Sequence, residues 1–150
     1  MFEAVIGKRS KKILNIVERG AVKKFAEAVG DPHPLYFDIE FGKKSRYAAN
    51  ITPPTFPQVF DYGTVEGLRL PEAGLIHGEQ SFVYRRPLRV GEAVYGYTVV
   101  ESYVEKPARS GKLGFLTLKR VGQDAQGEEV FHSRSVIILT EAVRRGMADA

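Results

Sequence analysis

The residues best suited to chemistry in this chain lie together in the stretch GDPHPLYFD, Gly30 to Asp38. It places a carboxylate, Asp31, and an imidazole, His33, beside prolines that restrict the backbone. Carboxylates and imidazoles are common general acids and bases near neutral pH. Tyr36 can donate a hydrogen bond, but with an ordinary pKa of about 10 it is a poor general base. The loop is therefore either an acid–base site or a turn in which Asp31 caps a backbone amide.

The flanking sequence predicts the elements that hold this loop. Arg19 to Val29 has the apolar spacing of an amphipathic helix, and Gly30 suits the residue just beyond its end. A short strand is predicted over Ile13 to Val17. A second helix is predicted over Asp38 to Tyr47, with Asp38 as its N-cap.

The second half of the chain is rich in β-branched and aromatic residues and predicts a meander of four strands. Before it, a buried helix is expected to open at Thr55 or Pro57 and run to about Leu68. Helices followed by strands predict an α+β fold, with an antiparallel sheet wrapped around that central helix in a single domain of residues 1–150. Such a sheet has open edges, and dimerisation is the expected way to cover them.

Composition narrows the classes of function. The net charge of +4 is spread over several small Lys and Arg groups, whereas nucleic-acid binders more often show one basic stripe with stacking aromatics. The absence of cysteine excludes thiolate chemistry, and the three histidines lack metal-ligand spacing. No apolar run is long enough to span a membrane. We expect no nucleic acid, membrane, metal or cofactor, and a cytoplasmic location.

The loop resembles the signature of the MaoC-type (R)-specific enoyl thioester hydratase/dehydratase family, Gly-Asp-x-Asn-Pro-(Leu/Ile/Val)-His-x-Asp. It matches that signature at Gly30, Asp31, Pro34, Leu35 and Asp38. Two positions depart from it: His33 replaces the asparagine, and Tyr36 replaces the catalytic histidine. In this form the loop is similar to the FAS1-like dehydratase N-terminal subfamily, whose members often serve as the non-catalytic half of a two-part dehydratase.

The resemblance implies a hotdog fold, a place in fatty acid metabolism and an acyl-CoA or acyl-ACP (acyl carrier protein) substrate. It implies that Asp31 is the catalytic aspartate and that Tyr36 stands at the catalytic histidine's position. His33 is a further catalytic candidate because an imidazole has the right chemistry near pH 7. Substrate contacts are expected from residues that line or plug the acyl tunnel, stand at its mouth or hold phosphate. These are Pro54, Thr55, Phe56, Phe60, His77 and Arg85.

Three functions stay open at this point. The chain is a subunit of an (R)-3-hydroxyacyl-thioester dehydratase or enoyl-thioester hydratase, paired with a MaoC-type partner that carries the intact Asp/His pair. Alternatively, it is a complete homodimeric hydratase that uses Asp31 with His33. The third function, of a different class, is a non-catalytic module that binds acyl-CoA.

Overall fold

The computed structural model describes residues 1–150. Five strands form one antiparallel sheet in the order β1-β3-β4-β5-β2. They are β1 (Ile13–Ile16), β2 (Leu75–Tyr84), β3 (Ala93–Ala108), β4 (Gly111–Gln123) and β5 (Glu129–Leu139). The helices are α1 (Arg19–Ala28), α2 (Ile39–Lys44) and α3 (Glu141–Ala148), with 3-10 turns at Pro34–Tyr36 and Phe56–Val59. The predicted α+β class and antiparallel sheet are confirmed, while α3 was not predicted. The predicted four-strand meander is wrong for β2, which crosses to pair with β5 at the edge of the sheet, so only β3, β4 and β5 follow one another as a meander.

The two faces of the sheet differ in burial because side chains alternate along each strand. On β3, Val94, Thr98 and Val100 point to the inner face and are buried, while their neighbours on the outer face are half-exposed. The inner face carries two apolar clusters. One, which includes Val22 of α1, lies under that helix, and the other is packed by the N-terminal residues and α3.

The long central helix predicted from Thr55 or Pro57 to about Leu68 is wrong. Only Phe56–Val59 is helical, as a single 3-10 turn, and Phe60 is already extended, with ψ 153°. Prolines 53, 54 and 57 remove backbone donors at the start of this segment. Farther on, Gly63 and Gly67 both have positive φ, at 69° and 86°, which no right-handed helix contains.

Aromatic packing takes the place of that helix on the inner face. Phe56 meets Phe25 of α1 edge to face, with ring centroids 5.6 Å apart, and meets Phe60 at 5.5 Å. Phe60 in turn lies 6.3 Å from the ring of Phe131 on β5. The apolar pattern that suggested a helix therefore reflects an irregular chain that buries large side chains against the sheet.

The ends of two helices fix the loop from Gly30 to Asp38. At the end of α1, Gly30 has φ 75°, and the amides of Gly30 and Asp31 donate to the carbonyls of Glu27 and Ala26. At the other end, Asp38 caps α2 by accepting from the Phe41 amide at 3.1 Å. Both predictions are confirmed, although α2 ends at Lys44 because Ser45 is extended. None of the helices is both long and apolar enough to cross a membrane.

Replacing Gly122 with alanine is expected to destabilise the fold. A Cβ at this position on β4 would lie 2.1 Å from a ring atom of Phe131, which is fully buried and held by its neighbours. Overpacking of this kind costs about 1–3 kcal/mol of unfolding free energy, and urea denaturation measures it. The matched control is Gly20→Ala in α1, where a Cβ meets nothing within 4 Å. Equal stability of the two variants would contradict the packing described here.

Candidate active site

The side chains of Asp31 and Tyr36 are paired in the loop. The Tyr36 hydroxyl donates a hydrogen bond to Oδ2 of Asp31 at 3.1 Å, and the carboxylate is exposed. Burial, followed by the hydrogen bond to Asp31, raises the pKa of Tyr36 above its ordinary value of 10.0. The phenol is therefore neutral at physiological pH, and a neutral phenol is a poor general base.

His33 has a structural task in the same loop. Its Nδ1 accepts a hydrogen bond from the Leu35 amide at 3.1 Å, so the side chain caps the 3-10 turn Pro34–Tyr36. Because Nδ1 is an acceptor here, the neutral ring carries its proton on Nε2. Its ring stands edge-on to Phe41, with centroids 5.5 Å apart. To act as a base through Nε2, His33 would have to change tautomer and give up this cap.

Asn50 holds the loop from behind. Its Nδ2 donates to the carbonyls of Leu35 at 2.9 Å and Asp38 at 2.8 Å, and its Oδ1 accepts from Arg19 at 2.7 Å. Asn50 is 4% exposed, so these groups have little access to water. Gly42 of α2 also packs directly against Asn50, because a Cβ added to Gly42 would lie 2.5 Å from Asn50 Nδ2. The side chain thus fixes α1, the 3-10 turn and the start of α2 relative to one another.

A pocket of about 350 Å³ opens beside the C-terminal end of β2. It brings together two residues predicted to bind substrate, Pro54 and Arg85. The Tyr84 hydroxyl closes one wall by donating to the Pro54 carbonyl at 2.6 Å. The pocket is lined by Tyr47, Ile51, Thr52, Pro54, Tyr84, Arg85, Arg86, Pro87 and Leu88.

Other residues predicted to bind substrate lie elsewhere. Phe56 is 2% exposed and Phe60 is half-buried, and both belong to the aromatic packing of the inner face. Thr55 is exposed next to Pro54 but does not line the pocket. His77 lies on β2 opposite Ile137, at the far end of the strand from Tyr84, and is exposed. The structure does not bring it to the pocket.

Few amides are available to stabilise a thioester oxyanion at the segment where the resemblance implies a helix N-terminus. Prolines 53, 54 and 57 have no N–H. The Phe56 amide already donates to the Pro53 carbonyl at 3.0 Å. The dipole and free donors that a helix N-terminus supplies are thus reduced here to a single turn. No group of three or more His, Asp or Glu side chains is arranged to hold a metal ion.

Asn50 and Tyr84 were missed by the sequence reasoning. Asn50 stands in the plain polar context AAN before a proline-rich segment, and nothing in that context marks it as buried. Tyr84 closes a regular strand, where an aromatic residue is ordinary. Only the fold brings Tyr84 to Pro54, thirty residues earlier in the chain.

Sequence comparison decides the family. The FAS1-like dehydratase domain region matches residues 4–133. The chain belongs to this family. The predicted resemblance is therefore confirmed, and the family is one of dehydratase domains. Among curated relatives, the UPF0336 protein of Streptomyces griseus is 34% identical over 89% of this chain and 87% of its own length. A match of 39% identity to the UPF0336 protein of Streptomyces avermitilis covers 57% of this chain and 61% of that protein.

Solved structures agree on the hotdog fold for this FAS1-like dehydratase domain. The HadBC (3R-hydroxyacyl-ACP dehydratase) complex from Mycobacterium tuberculosis matches with a TM-score of 0.75 and 24% identity, over 89% of this chain and 96% of that one. The ChsH1–ChsH2 complex from the same organism gives 0.71 and 23%, over 87% and 83%. The (R)-hydratase from A. caviae gives 0.66 and 21%, over 90% and 96%.

Substituting Asn50 with alanine is expected to destabilise this dehydratase domain by about 2–3 kcal/mol. It leaves two part-buried carbonyls and one arginine without their partner, and unsatisfied polar groups shielded from water are costly. Urea denaturation measures the loss of unfolding free energy, and hydrogen exchange of the Leu35 and Tyr36 amides measures the loosening of the loop.

Asn15→Ala is the matched control for that variant. Asn15 also makes short hydrogen bonds, to the carbonyl of Asp61 at 2.8 Å and from its amide at 2.9 Å, but these bonds are exposed to solvent. We expect a loss below about 1 kcal/mol, since water replaces these bonds. Equal losses in both variants would show that Asn50 has no special role.

The pairing of Tyr36 with Asp31 predicts a titration. In Asp31→Asn the pKa of Tyr36 should fall toward its ordinary value, because the carboxylate that favours the protonated phenol is gone. NMR titration of ¹³C-labelled tyrosine measures it, with Tyr84, whose pKa is raised by burial, as an unaffected control. The pKa of Tyr36 is higher in the folded chain than in the unfolded chain. The folding stability that the protonated phenol contributes is therefore complete below about pH 10, and it is lost as pH rises through the folded-state pKa. An unchanged Tyr36 pKa would contradict the pairing.

Proposed function

We propose that this chain is the acyl-binding subunit of an (R)-3-hydroxyacyl-thioester dehydratase or enoyl-thioester hydratase. A MaoC-type partner supplies the Asp/His pair that does the chemistry. The observation that carries the proposal is the neutral phenol of Tyr36 bonded to Asp31 where the family has its catalytic histidine. We also propose a cytoplasmic location and a role in fatty acid metabolism, which rest on the family resemblance.

Adding or removing water across the C2–C3 bond of a thioester requires a base for the C2 proton. Tyr36 does not take that proton while it is protonated, and its raised pKa keeps it so at neutral pH. Asp31 by itself lacks the imidazole that completes the family's pair. His33 is engaged through Nδ1 as a cap. These three observations favour a division of labour over a self-sufficient enzyme.

The reaction also needs donors for the enolate-like oxygen of the thioester. The proline-rich segment from Pro53 to Pro57 is poor in such donors, which a complete active site would hold ready. A partner with a full central helix would provide them together with its Asp/His pair. In this proposal the partner chain supplies both the base and the amide donors.

We assign the pocket between Tyr47 and Tyr84 to the thioester ligand. Its volume of about 350 Å³ lies within the range of small-molecule sites. Arg85 at its rim has a side chain 67% exposed and a distant ion pair, with Nε 3.4 Å from Glu129. Its terminal nitrogens make no hydrogen bond within the chain, so they are available to a phosphate of coenzyme A or of a carrier protein's pantetheine arm.

The partner would pair with strand β2. This strand is ten residues long and lies at the edge of the sheet, with one side free of strand partners. Unpaired edges of this length are normally covered. Two of the similar structures are named as two-chain complexes, HadBC and ChsH1–ChsH2. We propose the equivalent arrangement here, with a MaoC-type chain rather than a second copy at this edge.

The deciding experiment follows the enoyl absorbance of crotonyl-coenzyme A. The chain alone should give no hydration above background, and addition of a co-expressed MaoC-type subunit should give rapid hydration. In that complex Tyr36→Phe and His33→Ala should each change kcat less than about threefold. Replacing the partner's own aspartate should lower kcat by about 10²-fold or more.

Two outcomes would redirect the proposal. Hydration by the chain alone that is lost in Asp31→Asn and His33→Ala would make it a complete hydratase. Absence of hydration with any partner, but saturable binding of crotonyl-coenzyme A by calorimetry that weakens in Arg85→Ala, would support the acyl-CoA binding module instead. Asp31 would have no chemical task in that case.

A further inference from the structure

The inner face of the sheet carries one charged side chain between its two apolar clusters. Strand pairing places Thr98 of β3, Arg120 of β4 and Ser133 of β5 side by side in one row across the sheet. Thr98 is 7% exposed and Ser133 is 2% exposed, so this row lies on the buried side. Arg120 is partly buried and stacks over the ring of Tyr62, with Cζ 5.1 Å from the ring centroid. The guanidinium therefore belongs to the inner face of the sheet.

Arg120 has no counter-ion within the chain. Its Nε is buried without a hydrogen-bond partner, and no carboxylate lies within 4 Å of its nitrogens. On the outer face, by contrast, Arg134 of β5 is paired and donates to Glu101 at 2.8 Å. A charge that is shielded from water without a counter-ion is costly. An arginine in this position implies an anion that comes from outside the chain.

Two hydroxyls add to the donors beside Arg120. The side chains of Thr98 and Ser133 have no hydrogen-bond partner within the chain, whereas Ser135, two residues along β5, donates to Gln80. Residues directly opposite each other on neighbouring strands have Cβ atoms about 4.5–5.5 Å apart, so both hydroxyls flank the stem of the arginine. A guanidinium with hydroxyl donors on each side suits a carboxylate, whose two oxygens match the planar fork of the arginine.

We propose that Thr98, Arg120 and Ser133 bind a carboxylate carried by the acyl group of the thioester ligand. This inference rests on the proposed function, which assigns the thioester to the pocket beside Tyr84. Tyr84 pairs with Phe131, and Ser133 is the next residue of β5 on the same face. The row of donors therefore lies about 7 Å along the strands from the wall of that pocket.

The surroundings of the row favour such a ligand over other anions. On one side lies the first apolar cluster, which includes Tyr62 and Phe131, and on the other lies the second cluster, which includes Leu118. A hydrocarbon chain that ends in a carboxylate uses both the apolar side chains and the arginine, whereas an inorganic anion uses only the arginine. The substrate class is therefore an acyl thioester with an additional carboxylate rather than an unsubstituted fatty acyl thioester.

Calorimetry with matched pairs of acyl-coenzyme A ligands tests the inference. Glutaryl-, adipyl- and suberyl-coenzyme A carry a carboxylate where valeryl-, hexanoyl- and octanoyl-coenzyme A carry a methyl group. The full chain, alone or with its co-expressed MaoC-type subunit, should bind the carboxylated member of at least one pair about tenfold more tightly. Arg120→Met keeps the apolar stem and removes the guanidinium, so this preference should disappear. Ser133→Ala should reduce the preference about threefold and provides a second test where Arg120→Met does not fold.

Arg9→Met is the matched control. Arg9 also stacks on a tyrosine, with Cζ 5.4 Å from the ring centroid of Tyr97, but it is exposed and pairs with Val99 on the outer face. Its loss changes the net charge equally and should leave the preference unchanged. Thermal unfolding checks that each variant is folded.

Three results would overturn the inference. Equal affinity within all three pairs overturns it and leaves the proposed function intact. A preference that survives both Arg120→Met and Ser133→Ala, or that is lost equally in Arg9→Met, places the carboxylate elsewhere. Failure of all six thioesters to bind overturns the inference together with the proposed function.

Discussion

The geometry of the candidate site depends on the buried amide of Asn50. It is the single side chain that reaches three separately folded pieces: Arg19 at the start of α1, the Leu35 carbonyl in the 3-10 turn, and the Asp38 carbonyl at the cap of α2. Its own backbone is tied to the sheet region, because the Val90 amide donates to the Asn50 carbonyl. An amide is well suited to this position, since it donates twice and accepts once without carrying a charge into a nearly dry environment.

Asn50 holds in place a loop that matches most of the family signature and departs from it at two side chains. The loop keeps Asp31 and Pro34, and it lies between the end of α1 and the cap of α2. Replacing imidazole with phenol leaves a hydrogen bond to Asp31 but moves the titration of that group far above neutral pH. A donor that does not release its proton can position a carboxylate or a ligand, and this is the physical basis for assigning the chemistry to a partner.

Where a central helix was predicted, the chain has a short turn and packed aromatic rings. A helix at that place would present free amides and a dipole to the thioester. The aromatic packing of Phe56 and Phe60 presents apolar surface instead, and it fixes the proline-rich segment against Phe131. The lack of a base at Tyr36 and the scarcity of amide donors therefore occur in the same chain. Both features fit the proposed role of a subunit that shapes the binding site.

The sequence by itself determined the elements whose cause is local. The amphipathic spacing of α1, Gly30 at its end, Asp38 as a cap and the β-rich second half all act over a few residues, and these predictions were confirmed. The sequence also located the altered signature, because that signature is a contiguous stretch. The C-terminal helix α3 has a local signal in the cap Thr140, whose hydroxyl accepts from the Val143 amide at 3.4 Å, and that signal was overlooked.

Only the tertiary structure decided what the segment after Thr55 does and which residues meet. Apolar residues at helical spacing there indicated a helix, but a chain that buries aromatic rings irregularly shows similar spacing. The prolines and the positive-φ glycines of this segment exclude the helix. Asn50 and Tyr84 gained their roles from partners 15 and 30 residues away in sequence. His77 and Arg85 lie on one stretch of sequence, yet the strand between them is extended and keeps them apart. Long-range contacts of this kind depend on strand register, which is a property of the assembled sheet rather than of any local pattern.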